Sequence, residues 1–394
     1  MEDIKRVQLG DIAELITKGT TPTTLGYDFQ DEGVNFLKIE CFDENGDYIP
    51  EKVAFISDEC NEKLKRSQLK AGDILFSIAG AIGRVAIVTE EMLPANTNQA
   101  LSIIRITDEN VYLPYIKLIL TSPIVKKQFE KKKQGVAQLN LSLKDINEIV
   151  IPLPDKKKQV EYADLFEKLY KVITQRNVQL SDLDNLIKAR FVEMFGDPNN
   201  SKGYPLVKVQ DVADIQVGVV IKPAQYYTDA EHGVKAFRSL NIGEITIKDN
   251  DWVYFNEEGQ KKNTKSILKE NDLVIVRSGA PGTACVVTKE FEGSNAVDVI
   301  IAHPDMEKVN PYYLCAFTNY PHGKRQIEAG TGGAAQQHFN VGKYKDMDLI
   351  YPPKEEQDEF VSFVKQVDKS KVAVQKALEE TKTLFDRLMQ EYFG

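Results

Sequence analysis

The chain carries one pattern twice. The stretch LKAGDILFSIAGAIGRVAIVT, Leu69 to Thr89, aligns without a gap on LKENDLVIVRSGAPGTACVVT, Leu268 to Thr288, with eight identities. The agreement extends well beyond it: VQLGDIAEL from Val7 matches VKVQDVADI from Val207, IPLPDKKKQ from Ile151 matches YPPKEEQ from Tyr351, and EMFGD from Glu193 matches EYFG at Glu391. A period of about 199 residues is far too long for a solenoid, whose repeats run to roughly 20–50 residues. Each copy must therefore carry its own hydrophobic core, and whatever the chain does, it does twice with variation.

Composition permits this. With 394 residues, 42% of them hydrophobic, there is material for two cores of about 150 residues each with residues to spare. The four cysteines, Cys41, Cys60, Cys285 and Cys315, sit at unrelated places in the two copies and form no CxxC pair, which argues against a zinc site or a disulfide framework and predicts a reducing, cytoplasmic setting. Met1 is followed by Glu2, Asp3, Lys5 and Arg6, and no apolar run is long enough to span a bilayer, so a chain neither exported nor embedded in a membrane is expected. A net charge of −9 excludes a protein that coats nucleic acid indiscriminately, though not one that uses local basic residues. The clusters Lys131 to Lys133, Lys156 to Lys158, and Lys261, Lys262 and Lys265 read first as solvated faces.

Within each copy, short apolar runs punctuated by glycine predict strands at Asp73–Ile78, Arg84–Thr89 and Leu101–Ile106, and at Asp272–Arg277 and Thr283–Thr288. Gly80 and Gly83, matched by Gly279 and Gly282, permit the tight turns between them. Helical stretches follow, from about Leu113 to Lys133 with a break at Pro123, and from about Tyr312 to Glu328. Polar glycine-bearing loops come next, at Gly135 and Gly330, then a last apolar strand whose prolines stop it and launch a helix.

That final helix holds the clearest periodicity in the sequence. Tyr162, Phe166, Leu169, Ile173, Arg176, Leu180, Leu183, Ile187, Arg190 and Met194 alternate spacings of four and three, and Phe360, Val364, Val367, Lys371, Val374, Leu378, Thr381, Phe385, Leu388 and Tyr392 repeat the pattern. A helix of this length runs to about 60 Å, too long to bury its seam on one globule. The two helices should pack on each other, with Arg176, Arg190, Lys371 and Thr381 as polar intrusions that set register. The second globular region begins where the first helix ends and ends where the second begins, which requires the helices to run antiparallel if that region is compact. The expected organisation is α/β: two α/β domains, 1–153 and 196–353, joined by two long antiparallel coiled-coil helices, 154–195 and 354–394, related by an internal pseudo-two-fold. Two similar heads held at a fixed distance would suit a long ligand with two addresses.

These pieces, in this order and in duplicate, resemble the DNA-specificity subunit of bacterial type I restriction-modification systems. The motifs carrying the resemblance are LGDIAELITKGTTP, GDILFSIAGAIGRVAIV, the loop at Gly135 and IPLP in the first copy, and VQDVADIQVGVVIKP, NDLVIVRSGAPGTACVV, the loop at Gly330 and YPPKEEQ in the second. One departure is LPDKKKQ at the first long helix, where the second has Glu356 and Gln357. Three lysines oppose the positive end of a helix dipole, so a phosphate or a partner's carboxylates would account for them. The resemblance implies two target-recognition domains that read one bipartite, asymmetric double-stranded DNA site. It also implies docking of two adenine-methyltransferase subunits and of motor-nuclease restriction subunits. No cofactor is expected on this chain; the complex would use S-adenosylmethionine, ATP and magnesium. A related multisubunit restriction or methylation enzyme is the nearest alternative.

Base readout needs bidentate side chains, Arg or Lys for guanine and Asn or Gln for adenine, with hydroxyls and lysines for phosphates. Loops at matched positions supply them. In the first copy the candidates are Lys18, Thr20, Thr21, Thr23, Asn96, Asn98, Gln99, Gln134, Gln138 and Asn140. In the second they are Lys222, Arg277, Ser278, Asn295, Gln336, Gln337 and His338, with Lys324 and Arg325 toward phosphates. No metal ligand set is expected. Asn310-Pro311-Tyr312-Tyr313 resembles the NPPY motif of adenine methyltransferases, but the first copy has VYLPYIK there, with no asparagine, so the proline reads as a helix start. Asp305 to Lys308 reads as a polar turn rather than a nuclease motif. A coiled-coil scaffold that binds no nucleic acid is the remaining reading from a different class.

Overall fold

The structure is a computed structural model that describes residues 5–130, 140–331 and 339–393. It resolves into two compact units, Met1–Asn177 with Lys376–Gly394, and Val178–Gln375.

The first unit is organised by a four-stranded antiparallel sheet in the order Leu15–Lys18, Leu101–Arg105, Ile74–Ser77, Val85–Ile87. One of its faces packs on the helices Leu113–Thr121 and Pro123–Glu130 through Ile74, Phe76, Ile104, Tyr115, Ile116 and Ile119. The other carries Leu75, Ala86, Leu101 and Ile103 into a separate apolar cluster. The alternation of faces along Ile74–Ser77 explains how one run feeds both cores. A smaller sheet, Ala54–Ile56, Val34–Leu37, Ala95–Thr97, includes one parallel pair, and Arg6–Gln8 pairs with Val150–Pro152.

The second unit repeats this topology: Ala213–Val217, Val299–Pro304, Leu273–Val276, Ala284–Val286 in the main sheet, a smaller sheet with Val234–Phe237 parallel to Asn295–Ala296, and Leu206–Lys208 paired with Asp348–Ile350. The strands predicted from sequence are present, each trimmed by a residue or two at its ends. The helical stretch predicted at Tyr312–Glu328 differs: it is two helices, Pro311–Asn319 and Pro321–Thr331. Pro321 has no amide to continue the first helix and starts the second, as Pro123 does in the first unit.

Two α-helices of 40 residues, Lys156–Phe195 and Lys354–Phe393, each contribute to both units. Inside the first unit Tyr162 stacks on Tyr392, with ring centroids 4.7 Å apart, and Phe166 meets Phe385 edge-on at 5.1 Å. Inside the second, Phe191 meets Phe360 at 5.3 Å, Arg190 pairs with Glu359 at 2.9 Å, and Lys371 with Asp184 at 2.6 Å. In each unit the residue numbers of the two helices run in opposite directions, so the helices are antiparallel there. Between Lys171 and Leu186 the half-buried positions are Ile173, Arg176, Leu180 and Leu183, and all others are exposed. The seam residues Phe166, Ile187, Val364, Val367, Val374 and Leu378 are buried; Leu169, Phe385 and Leu388 are partly so. Two of the polar intrusions are accounted for by ion pairs across the seam, Arg190 with Glu359 and Lys371 with Asp184.

The starts of the long helices are tied to the globular parts. Asp155 accepts the Lys158 amide at 3.0 Å, which caps the first helix, and Lys156 Nζ donates to the Glu109 carbonyl at 2.5 Å. The second has acids in its first turn, Glu355 and Glu356, in favourable contact with the dipole; Tyr204 donates its hydroxyl to Glu356 at 2.5 Å.

Candidate nucleic-acid interface

In each unit four segments distant in sequence converge at one end of the main sheet. In the first, the chain leaves Lys18 through Gly19, whose missing Cβ would run into the Thr97 carbonyl. Only glycine allows that approach, and it brings Thr21 against Gln99, whose Oε1 accepts from the Thr21 amide at 3.1 Å and its hydroxyl at 2.5 Å. Ile78 donates its amide to the Ala100 carbonyl at 2.9 Å, and Leu141 donates to the Ile78 carbonyl at 2.9 Å. The segments around 18–23, 78–83, 97–100 and 140–141 therefore form one cluster.

The second unit builds the same cluster. A Cβ on Gly218 would meet the Ala296 carbonyl at 2.5 Å, Val219 donates to Ala296 at 2.8 Å, and Asp298 donates to the Val219 carbonyl at 3.2 Å. Arg277 pairs with Asp298 at 2.7 Å, and the Phe339 amide donates to the Arg277 carbonyl at 2.8 Å. The turns at Gly80–Gly83 and Gly279–Gly282 lie beside it, all four glycines at φ between 73° and 89°, where a side chain is strained.

Of the side chains proposed from sequence, the structure brings together Lys18, Thr20, Thr21, Thr23, Asn98, Gln99 and Asn140 in the first unit. In the second it gathers Lys222, Arg277 and Ser278. Lys18, Thr23, Gln99, Asn140 and Lys222 are exposed, and Gln99 has its Nε2 unengaged among the described residues. Two candidates must be corrected. Asn96 and Asn295 are each 0% exposed. Asn96 Nδ2 donates to Asn61 Oδ1 at 2.9 Å and to the Leu64 carbonyl at 3.2 Å, while its Oδ1 accepts the Thr97 amide at 2.9 Å. Asn295 is spent likewise on Gln260, Ser266 and the Ala296 amide. Both are internal braces of the smaller sheet, with no edge left for a base. Lys324 and Arg325 are on the helix Pro321–Thr331, outside the four segments; Lys324 pairs with Glu244 and Arg325 is exposed. Gln134, Gln138, Gln336, Gln337 and His338, and the cluster Lys131 to Lys133, lie outside the described residues.

Other sequence features resolve into structural roles. Lys261 and Lys262 pair with Glu257 and Glu258 one helical turn earlier. Asn310 caps a helix, accepting the Tyr312 amide at 3.0 Å and donating to Asp358 at 2.7 Å, while Tyr313 is buried with its hydroxyl on the Ile350 carbonyl, so this NPYY stretch is a helix start. Burial pushes the Cys285 thiol up to about 12, and Cys315 well above its ordinary value, outside the range of thiolate chemistry. Sequence reasoning missed Val220 and Ile221, apolar residues on the loop of the second cluster, because it looked only for hydrogen-bonding side chains.

Each unit thus carries a cluster of donors and acceptors on loops at one end of its main sheet, and the two clusters share one backbone arrangement. A family model described as the type I restriction modification DNA specificity domain matches the chain over residues 1–182 and again over 176–381; the chain belongs to this family. It is 30% identical over 176 residues to the EcoBI type I restriction enzyme specificity subunit of Escherichia coli, a match covering 43% of this chain and 36% of that one, so it spans about a third of that relative. It is 23% identical over 388 residues, 93% of this chain and 87% of the other, to the "Putative type I restriction enzyme MjaX specificity subunit" of Methanocaldococcus jannaschii. Its fold is similar to that of a chain solved in a study of assembly and conformational transition in a type I R-M system, with a TM-score of 0.65, 17% identity and coverage of 98% and 95%. The type I restriction-modification S subunit from M. genitalium gives a TM-score of 0.54 at 12% identity, covering 100% and 97%. No described helix is long and apolar enough to cross a membrane.

Proposed function

We propose that this chain binds one bipartite, asymmetric double-stranded DNA sequence, each unit reading a few base pairs through its loop cluster, and does no bond chemistry itself. In this reading it recruits two adenine-methyltransferase subunits and, with them, motor-nuclease restriction subunits in the cytoplasm. S-adenosylmethionine, ATP and magnesium belong to those partners.

The observation that carries the reading is that one backbone cluster is built twice and furnished differently. In the first unit Thr21 precedes the short helical turn and bonds Gln99; in the second Lys222 precedes it, and Asp298 pairs with Arg277. A repeated scaffold with unequal side chains supports two readers of unlike half-sites. Within the second unit the seam between the long helices is apolar with paired charges, which sets the register of the two helices there.

Binding of the methyltransferase-assembled chain to duplex DNA at increasing salt tests this. A DNA reader loses affinity steeply, with a slope of about −0.9 per phosphate contacted. Affinity indifferent to salt would favour a hydrophobic adaptor.

A further inference from the structure

The second loop cluster exposes two aliphatic residues just before its short helical turn, where the first has Thr20; the exposed aliphatic residue of the first, Leu25, lies at the end of its turn instead. In the first unit one residue, Thr20, separates Gly19 from Thr21, which caps the short helical turn Pro22–Leu25. In the second, three residues, Val219, Val220 and Ile221, separate Gly218 from Lys222, which caps Pro223–Tyr226. Val219 is tucked in, bridged to Val297 and bonded through Ala296 and Asp298. The two beyond it are in solvent: Ile221 is 80% exposed and Val220 49%.

Ile221 is the most exposed of the large hydrophobic residues among the described residues, and Val220 stands directly before it. Before the tip, the Asp298 amide donates to the Val219 carbonyl and the Asp298 side chain pairs with Arg277; after it, Lys222 adopts φ 45°, an uncommon conformation for a residue with a side chain. Lys222, exposed, follows the tip directly in the chain, and Arg277, paired with Asp298, belongs to the same loop cluster. In a duplex major groove the one apolar group on a base edge is the thymine C5-methyl.

We propose that Ile221, with Val220 beside it, reads a thymine methyl in the half-site of the second unit. This rests on the DNA-reading function above and specifies one of its contacts. Removal of a single buried methyl corresponds to about a fourfold loss of affinity.

The test uses the full chain in its methyltransferase complex and the DNA site identified from the adenines that complex methylates in cells. Each thymine of that site is replaced in turn by deoxyuridine, which lacks only the methyl. At one or two thymines the wild-type complex should lose about three- to fivefold in affinity, and the Ile221→Ala complex should bind the thymine and deoxyuridine duplexes equally. Deoxyuridine without effect at every position would overturn the proposal, as would a deoxyuridine penalty unchanged in Ile221→Ala. So would an Ile221→Ala loss of equal size on every duplex, which would indicate a wedge between base steps. A wild-type complex that binds no duplex and methylates no site would instead refute the DNA-reading function.

Discussion

Gln159 holds the backbone of Tyr112: its Oε1 accepts the Tyr112 amide at 2.8 Å while its Nε2 donates to the carbonyls of Pro154 at 2.8 Å and Asn110 at 3.2 Å. Gln357 repeats the arrangement in the second unit, accepting the Asn310 amide at 2.9 Å and donating to Pro352 at 3.0 Å. Both glutamines are buried. Each clamps the first turn of a long helix to the start of a helix in the globular part. Gln159→Leu keeps the volume and orphans a buried amide, so it should cost about 1–3 kcal/mol in urea unfolding of the whole chain; an unchanged midpoint would show that the clamp contributes nothing.

Asn96 and Gln99 are three residues apart and have opposite roles. Asn96→Leu should destabilise the first unit by about 2 kcal/mol, since it removes three hydrogen bonds from a closed interior, while any folded protein keeps its DNA preference. Gln99→Ala should leave stability within about 0.5 kcal/mol and weaken or change preference in one half-site. Thermal unfolding and binding to the identified duplex separate the two; the reverse pattern would return Asn96 to the reading surface.

His322 makes the fold sensitive to acid. Its Nε2 donates to the Gly196 carbonyl at 2.9 Å, its Nδ1 is buried without a partner, and burial lowers its pKa. The native state keeps this ring neutral below the pH at which the unfolded chain protonates it. Stability is then fully present above about pH 6.5 and falls as pH drops through the window beneath it. Between pH 7 and 5 the wild type should lose more stability than His322→Gln, which retains an Nε2 donor. Equal slopes would place the sensitivity elsewhere.

Leu183 is a half-buried seam residue that packs with the apolar cluster of the second unit. Leu183→Asp introduces an unpaired charge there, expected to cost several kcal/mol locally. Helical circular dichroism should fall, and co-purification of methyltransferase subunits should be lost, while the sheet cores remain protected from proteolysis. Undiminished assembly would refute the role of the seam.

The repeat and the seam were legible because both are periodic: the sequence spacing of Tyr162 to Met194 is the burial pattern of the helix, and the antiparallel direction is visible within each unit in pairs such as Phe191 with Phe360. The smaller sheets escaped notice because their strands are only two to four residues long, and several, such as Val34–Leu37 and Ala95–Thr97, mix polar with apolar side chains. For the same reason Asn96 and Asn295 looked like loop residues: a polar side chain does not announce in sequence that its partners are Asn61, or Gln260 and Ser266, far along the chain. Ile221 drew no attention because an apolar residue in a loop carries no hydrogen-bonding signal, and only the fold shows it in solvent. The break at Pro321 is signalled in the sequence by the proline itself, as at Pro123, with Gly323 two residues on, and the single-helix expectation passed over it.

The central claim is that one chain reads two unlike half-sites. Its most direct test is to express the chain with its methyltransferase subunits in a host that lacks other adenine methylation and to sequence that genome for methylated adenines. The account predicts a single motif, split by unread bases and different on its two sides. A palindromic motif, or an unmethylated genome from a well-formed complex, would contradict it.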